Sequence, residues 1–165
     1  MVHESRLTRE LRTLLQSRRT AALGTVDDEG APFVSMVPFA AQPVPGHLVI
    51  HVSGLAAHTR NLQARPDVSL LVSEFEARDG PVHALPRVTL KGVATVPQPD
   101  SPEWRTCRDA YLRRFPEAEP MTSLDDFRFV SIRVTHGRQV AGFGTARDVH
   151  EDEIARVVSD QAVPA

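Results

Sequence analysis

Thr20-Ala21-Ala22-Leu23-Gly24-Thr25-Val26 is followed by Asp27-Asp28-Glu29-Gly30 and then by Pro32-Phe33-Val34-Ser35-Met36-Val37-Pro38-Phe39-Ala40. Two runs of strand composition flank a tetrapeptide with hairpin-turn chemistry, which predicts two antiparallel strands. Downstream, a Pro/Gly-rich connection from Gln42 to His47 leads to a third strand, Leu48 to Ser53. Three early strands on short turns imply a meander instead of βαβ units. Upstream, Leu7, Leu11, Leu14 and Leu15 line one face of an opening helix. The arginines of that segment, Arg6, Arg9, Arg12, Arg18 and Arg19, read as its solvated face.

Further along, Ser53 is placed to cap a short helix from Gly54 to about Ala64, and Arg65-Pro66 ends it. Val68 to Phe75 and Arg87 to Val96 read as strands, separated by a polar loop from Glu76 to Pro86. Asp100-Ser101-Pro102-Glu103 opens a helix carrying Trp104, Arg108, Tyr111, Leu112 and Phe115, stopped by Pro116. Trp104 and Tyr111 at that spacing read as core or interface residues, with a cofactor contact as the alternative. Phe127 to Val134 alternates as a strand, Gly137 reads as a turn, Arg138 to Gly144 as the last strand, and Glu151 to Val158 as a closing helix. About seven mostly antiparallel strands with peripheral helices indicate a mainly β, closed or partly closed barrel, because closure removes exposed edges.

The 165 residues form a single domain, 41% hydrophobic and 24% charged, an ordinary globular composition. The formal net charge of -2 leaves no excess of positive charge for a nucleic-acid backbone. Cys107 is the one cysteine, so neither an internal disulfide nor a cysteine-based metal site is available. No apolar run reaches the roughly 20 residues of a membrane span, and the N-terminus lacks the apolar core of a signal peptide. The expected location is the cytoplasm.

Chemistry concentrates in Ser53-Gly54-Leu55-Ala56-Ala57-His58-Thr59-Arg60-Asn61-Leu62. Hydroxyls, an imidazole, a guanidinium and an amide crowd a helix N-terminus, whose N–H groups and dipole favour an anion. Arg60 can bind phosphate or carboxylate bidentately. The anion is not identified by composition, and a capped surface helix accounts for the same residues. The strand Pro32 to Phe39, small and apolar, lets a planar ring approach its backbone or simply faces a barrel core. Arg87 enters a strand after a flexible loop, Asp125 and Asp126 start another, and Arg138 to Gly144 carries two glycines.

The order of these elements resembles the pyridoxamine 5′-phosphate oxidase-like FMN-binding split-barrel superfamily. The resemblance rests on Gly30 to Ser35, Ser53 to Asn61, Pro66 to Leu71, Pro86 to Gly92, Asp126 to Phe129 and Val140 to Gly144. It spans about residues 5 to 150 and is closest to the branch containing the haem-utilisation proteins.

The resemblance implies a homodimer with its cofactor in a groove between two split barrels. A flavin phosphate would meet Ser53, His58, Thr59, Arg60 and Asn61. The ring of FMN would lie along Val34, Ser35 and Met36, with Arg87 reaching in from the second half of the barrel. The leading expectation is an FMN-dependent oxidoreductase acting on a small molecule, with no catalytic acid or base named and deazaflavin as a variant. True pyridoxamine phosphate oxidation is not expected: the family's arginine and lysine are missing from Phe33 to Phe39, as is its C-terminal arginine and histidine signature. The alternatives are a haem-binding or haem-degrading protein using the same groove, and a non-catalytic module with a degenerate pocket. In the haem branch a tail histidine ligates iron; Ser159 to Ala165 has none, leaving His58 and His150 as candidates. His58, Arg87 and Asp126 match positions lining that branch's haem pocket or dimer contacts, so His58 paired with an acid of the second subunit is a structural alternative.

Overall fold

The computed structural model describes residues 4–159, with the side chain of Ser159 excepted. Helix α1 (Arg6–Ser17) is capped by Ser5, whose hydroxyl accepts from the Thr8 amide, and buries Leu11, Leu14 and Leu15. Strands β1 (Thr20–Val26) and β2 (Pro32–Pro38) form the expected hairpin, with Asp27 accepting from the amides of Glu29 and Ala31 in the turn. A two-residue strand β3 (Ala40–Ala41) and β4 (His47–Ser53) follow, then α2 (Ala57–Ala64), β5 (Asp67–Ser73) and β6 (Arg87–Thr95). Helix α3 (Pro102–Arg114) has Ser101 as its cap, with the hydroxyl accepting from the Trp104 amide. The chain ends in β7 (Phe127–Val140), β8 (Ala146–His150) and α4 (Glu151–Ser159).

All eight strands join one antiparallel sheet in the order β2-β1-β5-β6-β7-β4-β3, with β8 also on β7. The sheet curls into a half-barrel. Its concave side buries Leu23, Phe39, Leu48, Ile50, Leu70, Leu90 and Ile132, and α1 and α4 close it with Leu11, Leu15 and Ile154. A second cluster lies under α3: Val49, Cys107, Tyr111, Phe115 and Phe129 are buried there, with Trp104 alongside. Burial pushes the Cys107 thiol up to about 12, so it packs as an inert thiol.

Helix ends are fastened by side chains from distant elements. The Arg114 guanidinium on α3 donates to the carbonyls of Leu15, Gln16 and Arg18, the C-terminal acceptors that α1 cannot satisfy itself. Arg147 on β8 grips Glu153 on α4 at 2.7 and 2.8 Å, and Thr8 of α1 donates to the same carboxylate. That contact holds the Glu153 carboxyl below its ordinary pKa.

Two expectations are corrected. Gly137 is no turn: β7 runs through it, pairing with β4 in its first half and with β8 in its second. A Cβ at Gly137 would stand 3.2 Å from Val149 and 3.3 Å from Leu90, so glycine there serves close packing. The hairpin comes later, at Gly142–Gly144, and the strand after it was not anticipated. Ser53 does not cap α2 either. The helix starts at Ala57 on an Ala56 cap with no side-chain bond. The Gly54 amide bonds the Asp126 carbonyl, and a Cβ at Gly54 would lie 2.7 Å from that oxygen. This tie between β4 and β7 forces a turn where a helix was expected.

Candidate functional site

β2 is the edge of the sheet and pairs only with β1, so one row of its backbone groups has no strand partner. Strand alternation separates the three residues expected to contact a ring. Ser35 turns towards α2, where its hydroxyl lies 2.9 Å from His58 Nδ1. Val34 and Met36 turn outward and are 66% and 68% exposed. Register carries that outward row across the sheet, Val34 beside Gly24 and Met36 beside Ala22, which itself lies beside Leu71. Leu71 faces Thr89, and two residues along β6 stands Arg87 on the same face. The outer surface is therefore an apolar field of Val34, Met36, Ala22 and Leu71, with Arg87 at its margin.

α2 supplies the other half. His58 Nε2 is buried with no hydrogen-bond partner among the described residues. Burial lowers the imidazole pKa below its ordinary value, which favours the neutral ring. The Thr59 hydroxyl, fully buried, donates to the Ser53 carbonyl at 2.6 Å. The Asn61 amide donates to the Thr25 hydroxyl at 3.1 Å, also buried. Both side chains fasten α2 to the strands. The Ser53 hydroxyl donates to Asp126 at 3.2 Å and accepts from the Leu55 amide. Arg60 is exposed and donates to the Leu55 carbonyl; Arg87 donates to that of Leu85. Neither guanidinium pairs with a carboxylate among the described residues.

Ser35, Ser53, His58, Thr59 and Asn61 are thus tied into one corner around α2, with Asp126 joined through Ser53. Arg87 stands apart, three strands along the sheet from β2. His150 lies beyond β7, opposite His136, with ring centroids 6.3 Å apart. The tail from Ser159 onward falls outside the described residues apart from the backbone of Ser159. No group of three or more His, Cys, Asp or Glu placed to hold a metal ion occurs among the described residues. No helix of the described residues is long and apolar enough to cross a membrane.

A titratable group that sequence reasoning passed over lies at His51, 7% exposed in β4. Its ring makes tilted contacts with Phe129, Phe127 and Tyr111 at centroid distances of 4.4, 5.1 and 5.6 Å, and its Nδ1 has no hydrogen-bond partner among the described residues. Burial lowers its pKa to about 4. The available signal was a lone imidazole within the apolar run Leu48-Val49-Ile50-His51-Val52.

Comparison with known proteins adds the following. The family model described as pyridoxamine 5′-phosphate oxidase matches residues 7–141. The chain is 34% identical over 156 residues to the heme oxygenase HutZ of Vibrio cholerae, covering 94% of this chain and 88% of that protein. It is 35% identical over 151 residues to the chloroplastic non-canonical heme oxygenase HOZ of Arabidopsis thaliana, covering 87% of this chain and 44% of that longer one. A solved heme binding protein from Mycobacterium smegmatis superposes with a TM-score of 0.81 at 32% identity, covering 94% of this chain and 62% of that one.

Proposed function

This chain belongs to the pyridoxamine 5′-phosphate oxidase family, and from that membership we propose a haem-binding protein of the haem-utilisation type, working as a homodimer. The observation that carries the reading is the pairing, in a chain 34% identical to a heme oxygenase, of an apolar outer strand face with guanidiniums that no carboxylate among the described residues neutralises. An amphipathic planar ring with two carboxylates needs those two surfaces. The flavin expectation takes second place, because the similar proteins are heme oxygenases and a heme binding protein.

Bound haem supplies iron for oxygen chemistry when an external donor provides electrons. The chain's own residues bind and orient it. Val34 and Met36 would cover ring surface, while Arg60 and Arg87 would hold its carboxylates. Ser35 fixes the His58 ring through Nδ1, and with Nε2 buried the neutral imidazole would hold α2 against β2 behind the ligand groove. Thr59 and Asn61 act by holding α2 in place, without touching ligand.

The second copy follows from the exposed field on β2, β1 and β5, which a partner would cover. Sedimentation at micromolar concentration is expected to give a dimer. A stable monomer there would remove both the dimer and the shared groove.

Haemin titrated into the protein is expected to give a stoichiometric Soret shift. Protein that purifies with the paired bands of a flavin and ignores haemin would overturn the reading. Arg60→Ala is expected to weaken haemin binding by about 1.5–3 kcal/mol, the cost of a charge-assisted contact. Arg9→Ala, on the solvated face of α1, changes it little. Equal dissociation constants for the two variants would mean that α2 does not hold a carboxylate.

A further inference from the structure

The turn between β7 and β8 is closed by two backbone bonds, from the Ala141 amide to the Thr145 carbonyl at 3.0 Å and from the Thr145 amide to the Gly142 carbonyl at 3.1 Å. Gly144, at φ 72°, adopts a backbone that L side chains rarely take. This ordered tip holds the Phe143 ring 87% exposed, more than any other large hydrophobic side chain among the described residues. A fixed turn that presents an aromatic ring to water holds it ready for a ligand, and covering the ring removes apolar surface from water.

The neighbourhood indicates what. Val140, three residues before Phe143, is the register partner of Arg87. Arg87 carries a charge that no carboxylate answers among the described residues. Arg87 opens β6 and Val140 closes β7, so the guanidinium and the Phe143 tip stand at the same end of that ladder. This arrangement matches a planar ring with an anionic arm: the ring stacks on phenyl and the arm reaches the cation. A protein segment covering Phe143 would have to bring both an apolar side chain and an acid to adjacent positions. A porphyrin carboxylate brings them in one molecule.

We propose that Phe143 is a ring-contact residue for the bound ligand, and that the tip Gly142–Gly144 forms a wall of the ligand site at the Arg87 end of the β6–β7 ladder. This rests on the haem reading above. It adds a fourth element, the β7–β8 turn, to a site otherwise built from β2, α2 and β6.

The test is haemin titration of wild type, Phe143→Ala and Phe143→Trp, read by the Soret band, with sedimentation of each. Phe143 is exposed and the turn is closed by backbone bonds, so neither substitution disturbs the core. Phe143→Ala is expected to raise the haemin dissociation constant about tenfold, the scale of one lost aromatic contact. Phe143→Trp is expected to stay within about twofold of wild type, and all three proteins to sediment alike. Wild-type affinity in Phe143→Ala would overturn the contact while leaving the haem reading intact. Weaker binding accompanied by dissociation into monomers would also overturn it, since the ring would then serve the interface. A wild type that does not bind haemin would overturn the haem reading and this inference together.

Discussion

Phe129→Ala is expected to cost about 3–5 kcal/mol of folding stability, the range for emptying a buried aromatic site. Phe129 is 1% exposed on β7 and stands opposite His51 in the β4–β7 ladder. Its ring meets Trp104 edge-on at 5.5 Å and Tyr111 at 6.0 Å, both on α3, as well as the His51 imidazole. One side chain therefore plugs the seam between α3 and the outer side of the sheet. With Phe129 removed, α3 loses the ring that Trp104 and Tyr111 pack on, and the hole left behind borders the His51 imidazole. Since domains are stable by only about 5–15 kcal/mol in total, the loss is a large fraction of the whole. Urea unfolding measures it. A loss below about 1 kcal/mol, the scale expected of exposed Leu124→Ala, would show that α3 is anchored elsewhere.

Acid is expected to weaken the fold well above the range in which carboxylates protonate. The His51 pKa is lowered from 6.5 in the unfolded chain to about 4 in the fold. Between those values the unfolded chain binds a proton that the fold does not accept. Stability is therefore full above about pH 6.5 and falls with pH down to about 4, where the penalty levels off. The interval corresponds to about 3 kcal/mol at its limit. His58, also lowered by burial, acts in the same direction. His51→Phe keeps a ring among Phe127, Phe129 and Tyr111 without a titrating group, and is expected to flatten much of the decline. Unfolding free energies of wild type and variant across pH 4 to 7 decide it; parallel curves would show that His51 is not the group responsible.

The two variants probe a seam that sequence reading located only in part. Trp104, Tyr111 and Phe115 announce the packed face of α3 by their spacing, and Ser101 and Pro102 announce its start. These are local signals, since caps and helical periodicity act within one or two turns of the chain. The same reasoning recovers α1, α4 and the β1–β2 hairpin with Asp27 in its turn. The partner of α3 depends on strands eighty residues apart in sequence order, and nothing within β4 states that His51 will face it.

What the sequence determined by itself was therefore each element whose cause is local, together with the antiparallel class, which short turns between strands impose. It also drew attention to the polar residues around His58 and Arg60. The tertiary structure alone decided which of them are available. Thr59 and Asn61 look like anion ligands in the sequence, yet they bond Ser53 and Thr25 on neighbouring strands. Gly137 looks like a turn, but the need for glycine comes from Leu90 and Val149, side chains on two other strands. Arg87 shares the outer face with Val34 and Met36 only because ladder register aligns β6 with β5 and β5 with β1 and β2. Register is set by which face of each strand is buried, and burial is a property of the whole sheet.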